Sequence, residues 1–192
     1  MAGRFTLKDS MRLKSWKTIP NSKEIIHENP WYSVYRERFT LPSGKEGVYH
    51  VVDSPSSLKI IPVLPNGKIR FVKQFRYTLK EESIEFPGGS VKHGDLFDEP
   101  EVGARRELSE EAHLAGSLKF LGNFYPLNGI GSEKCFVFLA TNCEESISEA
   151  DETEEFIFVD LTPEDVRKMI KSGDISDGMS LAAWMLFEAS LL

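Results

Sequence analysis

Glu85-Phe86-Pro87-Gly88-Gly89 and, further on, Arg106-Glu107-Leu108-Ser109-Glu110-Glu111 are the stretches whose reading decides what this chain folds into. The first is the end of a short strand running into paired glycines, where missing side chains let main-chain groups come close to a ligand. Between them, Asp98-Glu99-Pro100-Glu101 reads as a helix start: Asp98 as N-cap, proline in the first turn and glutamate three residues after the cap. Gly116 reads as the helix stop. The order is strand, glycine loop, carboxylate helix.

At about 100° per residue, Glu111 lies one turn beyond Glu107, and Glu110 also falls on the next turn, so the head groups converge. Exposed like-charge neighbours of this kind cost about 0.2–0.5 kcal/mol per pair, and more where water is excluded. Ala104, Leu108 and Ala115 form the apolar stripe, and Glu111 projects within roughly 20° of Ala104 on the helical wheel. A carboxylate at the edge of a buried stripe calls for a metal or a partner. Oxygen-only ligands, with no Cys or His at ligand spacing in the helix, suit Mg2+ or Mn2+ better than zinc. Taken alone the run also fits the solvated face of a surface helix; the glycines upstream weigh against that.

The segment resembles a Nudix box, whose pattern is G-x5-E-x7-R-E-U-x-E-E-x-G-U with U aliphatic. Gly89 matches the first glycine, Arg106 to Glu111 the core, and Leu114 the last aliphatic. Asp95 stands where the pattern has Glu, ten residues rather than seven separate it from Arg106, and His113 replaces the late glycine. The first two departures alter loop length and leave the core carboxylates in place. His113 reads as a solvated residue favourable to the helix dipole.

A chain of 192 residues with 41% hydrophobic content can bury one good core with a small accessory unit. Residues 1–56 read as an N-terminal strand unit and 57–192 as the main domain. No membrane span is evident, and the N-terminus has no continuous apolar stretch of the secretory kind. Cys135 and Cys143 are too few for a disulfide framework and read as reduced thiols, which points to the cytoplasm. A net charge of −7 disfavours indiscriminate nucleic-acid binding.

Ten of the thirty acidic residues fall between Glu144 and Asp165, a span without Lys or Arg. Composition alone reads this as a solvated loop, yet it runs straight into the strand-like Phe156-Ile157-Phe158-Val159. It resembles the loop after the Nudix box in enzymes that cleave ADP-ribose and related sugar nucleotides. That resemblance puts Glu152 in the place of the water-activating base and Glu154 in that of a metal ligand, with Glu155 in reserve should the register slip.

Elsewhere the chain reads as mixed α/β. Trp31 to Leu41 and Gly47 to Val52 form a hairpin around Pro42-Ser43-Gly44, and Leu58 to Leu64 and Lys68 to Phe75 flank an Asn66-Gly67 turn. Lys119 to Tyr125 and Lys134 to Thr141 are strands; Pro163 to Lys171 and Met179 to Leu191 are helices. The resemblance implies a Nudix α/β/α sandwich with a mixed sheet, preceded by N-terminal strands of the kind that pair sugar-nucleotide members into homodimers.

By the same resemblance, Mg2+ or Mn2+ would be held by Gly88, Glu107, Glu111 and Glu154, with Glu110 and Glu152 serving catalysis. Arg106 is expected to pair with helix carboxylates. Gln74-Phe75-Arg76 resembles the Gln-x-Arg segment whose arginine meets the substrate; unaided, Arg76 is a surface strand cation. Trp31, Glu85 and Glu133 are the other residues expected on the substrate side, although a Trp in a strand is commonly core. Leu127-Asn128-Gly129 stands where ADP-ribose hydrolases show Ser-Pro-Gly, which broadens the expectation to nucleoside diphosphate sugars with ADP-ribose as one candidate. The alternatives are a hydrolase of dinucleotides or oxidised nucleotides, and a Nudix-fold regulator that binds a sugar nucleotide without cleaving it.

Overall fold

The computed structural model of the chain describes residues 15–93, 96–97, 99–146 and 156–192, and the chain divides between Ser54 and Pro55 into two units. In the first unit, β1 (Lys17–Thr18), β2 (Glu24–Glu28), β3 (Ser33–Thr40) and β4 (Glu46–Asp53) form an antiparallel sheet around β3. β4 follows β3 along its whole length, while β1 and β2 share the other edge. The β3–β4 turn closes where expected, with Gly44 at φ 87° and its N–H donating to Leu41 O. Trp16 stacks on Phe39 with ring centroids 4.6 Å apart.

Trp31 lies in the turn before β3. The N–H groups of Trp31 and Tyr32 both donate to Asn29 Oδ1, at 2.9 and 3.0 Å. This turn leaves the Trp31 residue 74% exposed, so it is no core residue of the strand.

The second unit is layered. β5 (Ser57–Pro62) runs parallel to β11 (Cys135–Glu145), which pairs antiparallel with β10 (Leu114–Phe124). β6 (Ile69–Arg76) lies between β7 (Glu81–Glu85) and β12 (Ile157–Leu161) in a second sheet, and β8 (Lys92–His93) and β9 (Leu96–Phe97) form a short ladder. The Asn66-Gly67 turn is tight, with Gly67 at φ 77°. Beyond the single Val63–Ile69 bridge, however, β5 and β6 part into different sheets.

The helices are α1 (Pro100–Ala112), α2 (Pro163–Ser172) and α3 (Gly178–Ser190). Alternation along β5 assigns them to opposite faces. Leu58 and Ile60 pack with Ala104 and Leu108 of α1, whereas Ile61 packs with Val166 of α2 and Ala183, Trp184 and Phe187 of α3. A strand buried on both faces explains the nearly unbroken apolar run of β5. The mixed α/β sandwich expected from the sequence is the observed fold. Among the described residues no helix is long and apolar enough to cross a membrane.

Both ends of α1 differ from expectation. Glu99 is the N-cap, with extended backbone and no side-chain cap bond, and Pro100 is the first helical residue; Asp98 lies outside the described residues. The helix ends at Ala112. His113 adopts the left-handed conformation at φ 53° and its N–H donates to Leu108 O, so it does the work of the absent glycine. Its ring is half-buried, edge-on to Phe158 at 5.1 Å. Gly116 is already in β10, where a Cβ would stand 2.9 Å from Thr141 O. Ala112, and not Ala115, therefore completes the buried stripe with Ala104 and Leu108, and Glu107 and Glu111 are buried beside it.

Candidate active site

β7 delivers the chain into the loop Phe86-Pro87-Gly88-Gly89, whose backbone is held from several sides. Leu58 and Ile60 of β5 donate their N–H groups to Gly89 O and Pro87 O, each at 2.9 Å. The Phe86 N–H donates to Ser180 Oγ of α3, and Phe86 O accepts from Lys59 Nζ, again at 2.9 Å. From α1, the Glu111 Oε2 atom accepts the Gly88 N–H at 2.7 Å. Charged acceptors make such bonds short and strong.

Both glycines are in close contact with their surroundings. A Cβ on Gly88 would stand 2.1 Å from Leu58 O, and one on Gly89 would stand 2.4 Å from Glu107 Oε1. The loop therefore touches β5 on one side and the carboxylate of α1 on the other.

On α1 the charges are shared out. Arg106 Nη1 lies 2.8 Å from Glu107 Oε1 and 3.0 Å from Glu110 Oε2, and Nη2 donates to Ser90 O at 3.2 Å. Burial would push the Arg106 guanidinium down, but Glu107 and Glu110 outweigh it and hold the pKa above its ordinary value. Arg106 thus pairs with the helix carboxylates as the sequence led us to expect. The three glutamates do not form one cluster: among the described residues no three His, Cys, Asp or Glu side chains are grouped to hold a metal. Glu111 turns to the glycine loop, while Glu107 and Glu110 flank Arg106.

Arg76 and Glu85 lie on paired strands but out of register, Arg76 standing opposite Glu81 and Glu85 opposite Val72. Arg76 Nε and Nη2 donate to Glu85 Oε1 and Oε2, each at 2.6 Å, and Lys59 Nζ donates to the same Oε2 at 3.0 Å. Burial pushes the Glu85 carboxyl up, but the Arg76 hydrogen bonds and the Lys59 charge prevail and bring it to about 2. The Glu85 hydrogen bond raises the Arg76 pKa against burial, with Asp177 and Glu111 adding to it through their charges.

Glu133 accepts a hydrogen bond from Ser57 Oγ, and Ser57 is bridged to Ser90 at the end of the glycine loop. Trp31 belongs to the first unit and is described above. Asp95, Glu152, Glu154 and Glu155 lie outside the described residues. The chain on either side of 147–155 is anchored at the end of α1. Ser146 N–H donates to His113 O at 2.8 Å. Arg70 donates to Asp160 through Nε (2.9 Å) and Nη2 (3.1 Å), and through Nη1 to Ala112 O (3.2 Å) and Glu145 Oε1 (3.3 Å).

Sequence reasoning missed Lys59, Arg70, Ser57 and Ser180. Lys59 did carry a signal, being a lysine inside the apolar run of β5. The donor chemistry of Glu107, Glu111 and the Gly88 main chain is oxygen alone, and the missing Cβ of Gly89 brings the Glu107 carboxylate against the loop. That set suits a hard divalent cation.

A family model described as the nucleoside diphosphate sugar hydrolase N-terminal domain matches residues 16–52, and one described as the NUDIX domain matches residues 53–179. The chain is 33% identical over 174 residues to the ADP-ribose pyrophosphatase of Bacillus subtilis (strain 168), spanning 89% of this chain and 92% of that protein. It is 27% identical over 146 residues to the methanol dehydrogenase activator of Bacillus methanolicus, spanning 74% of this chain and 77% of that protein. Among solved structures, the crystal structure of an ADP compounds hydrolase superposes with a TM-score of 0.79 at 18% identity, covering 91% of this chain and 94% of that one. This last is a likeness of fold.

Proposed function

The chain belongs to the Nudix hydrolase family, and we propose that it hydrolyses the diphosphate bond of nucleoside diphosphate sugars, with ADP-ribose the first substrate to try. The observation that carries this reading is the contact between the glycine loop and α1: Gly88 N–H on Glu111 and the side-chain-free Gly89 against Glu107. The similarity to an ADP-ribose pyrophosphatase along most of both chains supports the substrate class.

Glu107, Glu111, the Gly88 main chain and Glu154 would hold a divalent cation, Mg2+ or Mn2+, which when bound neutralises the diphosphate and makes its phosphorus open to attack. Arg76, oriented by Glu85, binds the anionic substrate from the β6–β7 side. Glu152 takes a proton from the attacking water. The new bond joins water oxygen to phosphorus; the bridging P–O bond breaks, and its electrons leave with a phosphate ester. The products are a nucleoside monophosphate and a sugar phosphate. Glu110 acts beside the metal ligands and keeps Arg106 in place. Glu133 keeps the 125–134 loop against β5 through Ser57, next to where the substrate would lie.

We assign the N-terminal strand unit, residues 1–56, to pairing two copies into a homodimer in the cytoplasm. Trp16, Ile25, Trp31 and Tyr32 are exposed apolar groups on that unit and would be covered by such pairing.

The test is release of phosphate ester from ADP-ribose, other ADP-, GDP- and UDP-sugars, dinucleotides and nucleoside triphosphates, with Mg2+, Mn2+ or chelator. Metal-dependent cleavage confined to sugar nucleotides is the expected result. Binding of a sugar nucleotide without cleavage of any compound would overturn it in favour of a regulator.

A further inference from the structure

Lys59 sits in the middle of a strand whose neighbours are apolar, with its side chain only 5% exposed. Taking an ammonium out of water is costly, so a buried lysine needs partners. It has two. Lys59 Nζ donates to Glu85 Oε2 at 3.0 Å and to Phe86 O at 2.9 Å.

Glu85 is thereby faced by two cations, Lys59 from β5 and Arg76 from β6, while its own side chain is 3% exposed. Two positive groups on one carboxylate leave one positive charge over. That excess cannot be offered to a ligand by Lys59, which is sealed beneath the strand end. It falls to Arg76, whose side chain is 42% exposed and whose Nη1 takes no part in the bidentate pair. An Arg–Glu pair alone would orient the guanidinium and cancel its charge in the same act. Lys59 removes the second effect and keeps the first.

We propose that Lys59 is a positioning residue for substrate binding. By neutralising Glu85 from below, it leaves the oriented Arg76 with an uncompensated charge for a diphosphate, and through Phe86 O it ties that cation to the head of the glycine loop. The inference rests on the reading that the site takes a nucleoside diphosphate sugar, and it names the residue that tunes the site's affinity for that anion.

The experiment uses the full chain with Mg2+: KM and kcat for ADP-ribose, and the Kd of ADP by titration calorimetry, in wild type, K59M, E85Q and K59M/E85Q. In K59M, KM and the ADP Kd are expected to rise about tenfold, the scale of one charge lost near a partly shielded site, while kcat moves by less than about threefold. The double variant discriminates. E85Q removes both the hold on Arg76 and the charge that cancels it, so against E85Q the double variant should change both constants by less than about threefold; if Lys59 merely held the fold together, kcat in K59M would fall as far as KM rises.

Should K59M not fold, the double variant, neutral at both buried positions, still decides against E85Q: constants within about threefold of E85Q support the assignment, and a tenfold weakening overturns it. Unchanged KM and ADP Kd in K59M, with active wild type, would overturn it too. A wild type inert toward every sugar nucleotide, yet with ADP binding weakened in K59M and equal in E85Q and the double variant, would overturn the proposed reaction and uphold Lys59.

Discussion

Gly89 and Glu107 claim the same space: a Cβ on Gly89 would lie 2.4 Å from Glu107 Oε1 and 2.6 Å from its Cδ. The atoms that would collide are the far end of a flexible side chain, so Gly89→Ala should leave the fold standing and push the carboxylate aside. A displacement of about 1 Å at such a group costs on the order of 100-fold in rate. The expected outcome is a melting temperature near that of wild type and kcat/KM for ADP-ribose lowered by about that factor. Full activity would mean that Glu107 need not stand where it does.

Gly88→Ala should behave in the opposite way. Its Cβ would meet Leu58 O at 2.1 Å, a backbone atom in a strand buried on both faces, and the strand can only move away. Overpacking of this kind costs about 1–3 kcal/mol. Urea denaturation should show the loss directly, with or without metal present.

Glu111→Gln separates charge from shape. The amide oxygen of the new side chain can still accept the Gly88 N–H, which preserves the loop, but it no longer offers an anionic ligand. Metal-dependent turnover should vanish while the melting temperature changes little. Glu152→Gln should lower the rate by about 100- to 10,000-fold, the range of a lost general base, and largely spare Mn2+ binding followed by electron paramagnetic resonance. Equal activity of both variants with wild type would sink the mechanism.

The Glu85 carboxyl titrates at about 2 in the folded chain, against an ordinary value of 4.5. A lowered folded-state pKa means stability that is fully present above the unfolded value and is lost as pH falls through the folded one. The protein should therefore lose on the order of 3 kcal/mol between about pH 5 and pH 2 through this group. In Glu85→Gln that part of the slope should disappear. Urea midpoints measured across the window check it, and parallel curves for the two proteins would contradict it.

The site was legible where it is local. Gly88, Gly89, Glu107 and Glu111 come from one stretch, and a loop followed by a helix brings such residues together whatever the rest of the chain does. Lys59, Ser57 and Ser180 reach the same loop only because β5 and α3 pack around it, and no local pattern announces long-range packing. The helix end was misread for a related reason. Gly116 looked like a stop, but β10 uses it for close approach to Thr141 O, and His113 took the left-handed position at a conformational cost that glycine would have avoided. β1 and β2 went unseen because they are short and exposed, without the alternation that marks a half-buried strand.

Arg70 gathers Asp160 of β12, Glu145 of β11 and the last carbonyl of α1 around one guanidinium. One charged side chain thus keeps three segments far apart in the chain in step, and its loss would release all three at once.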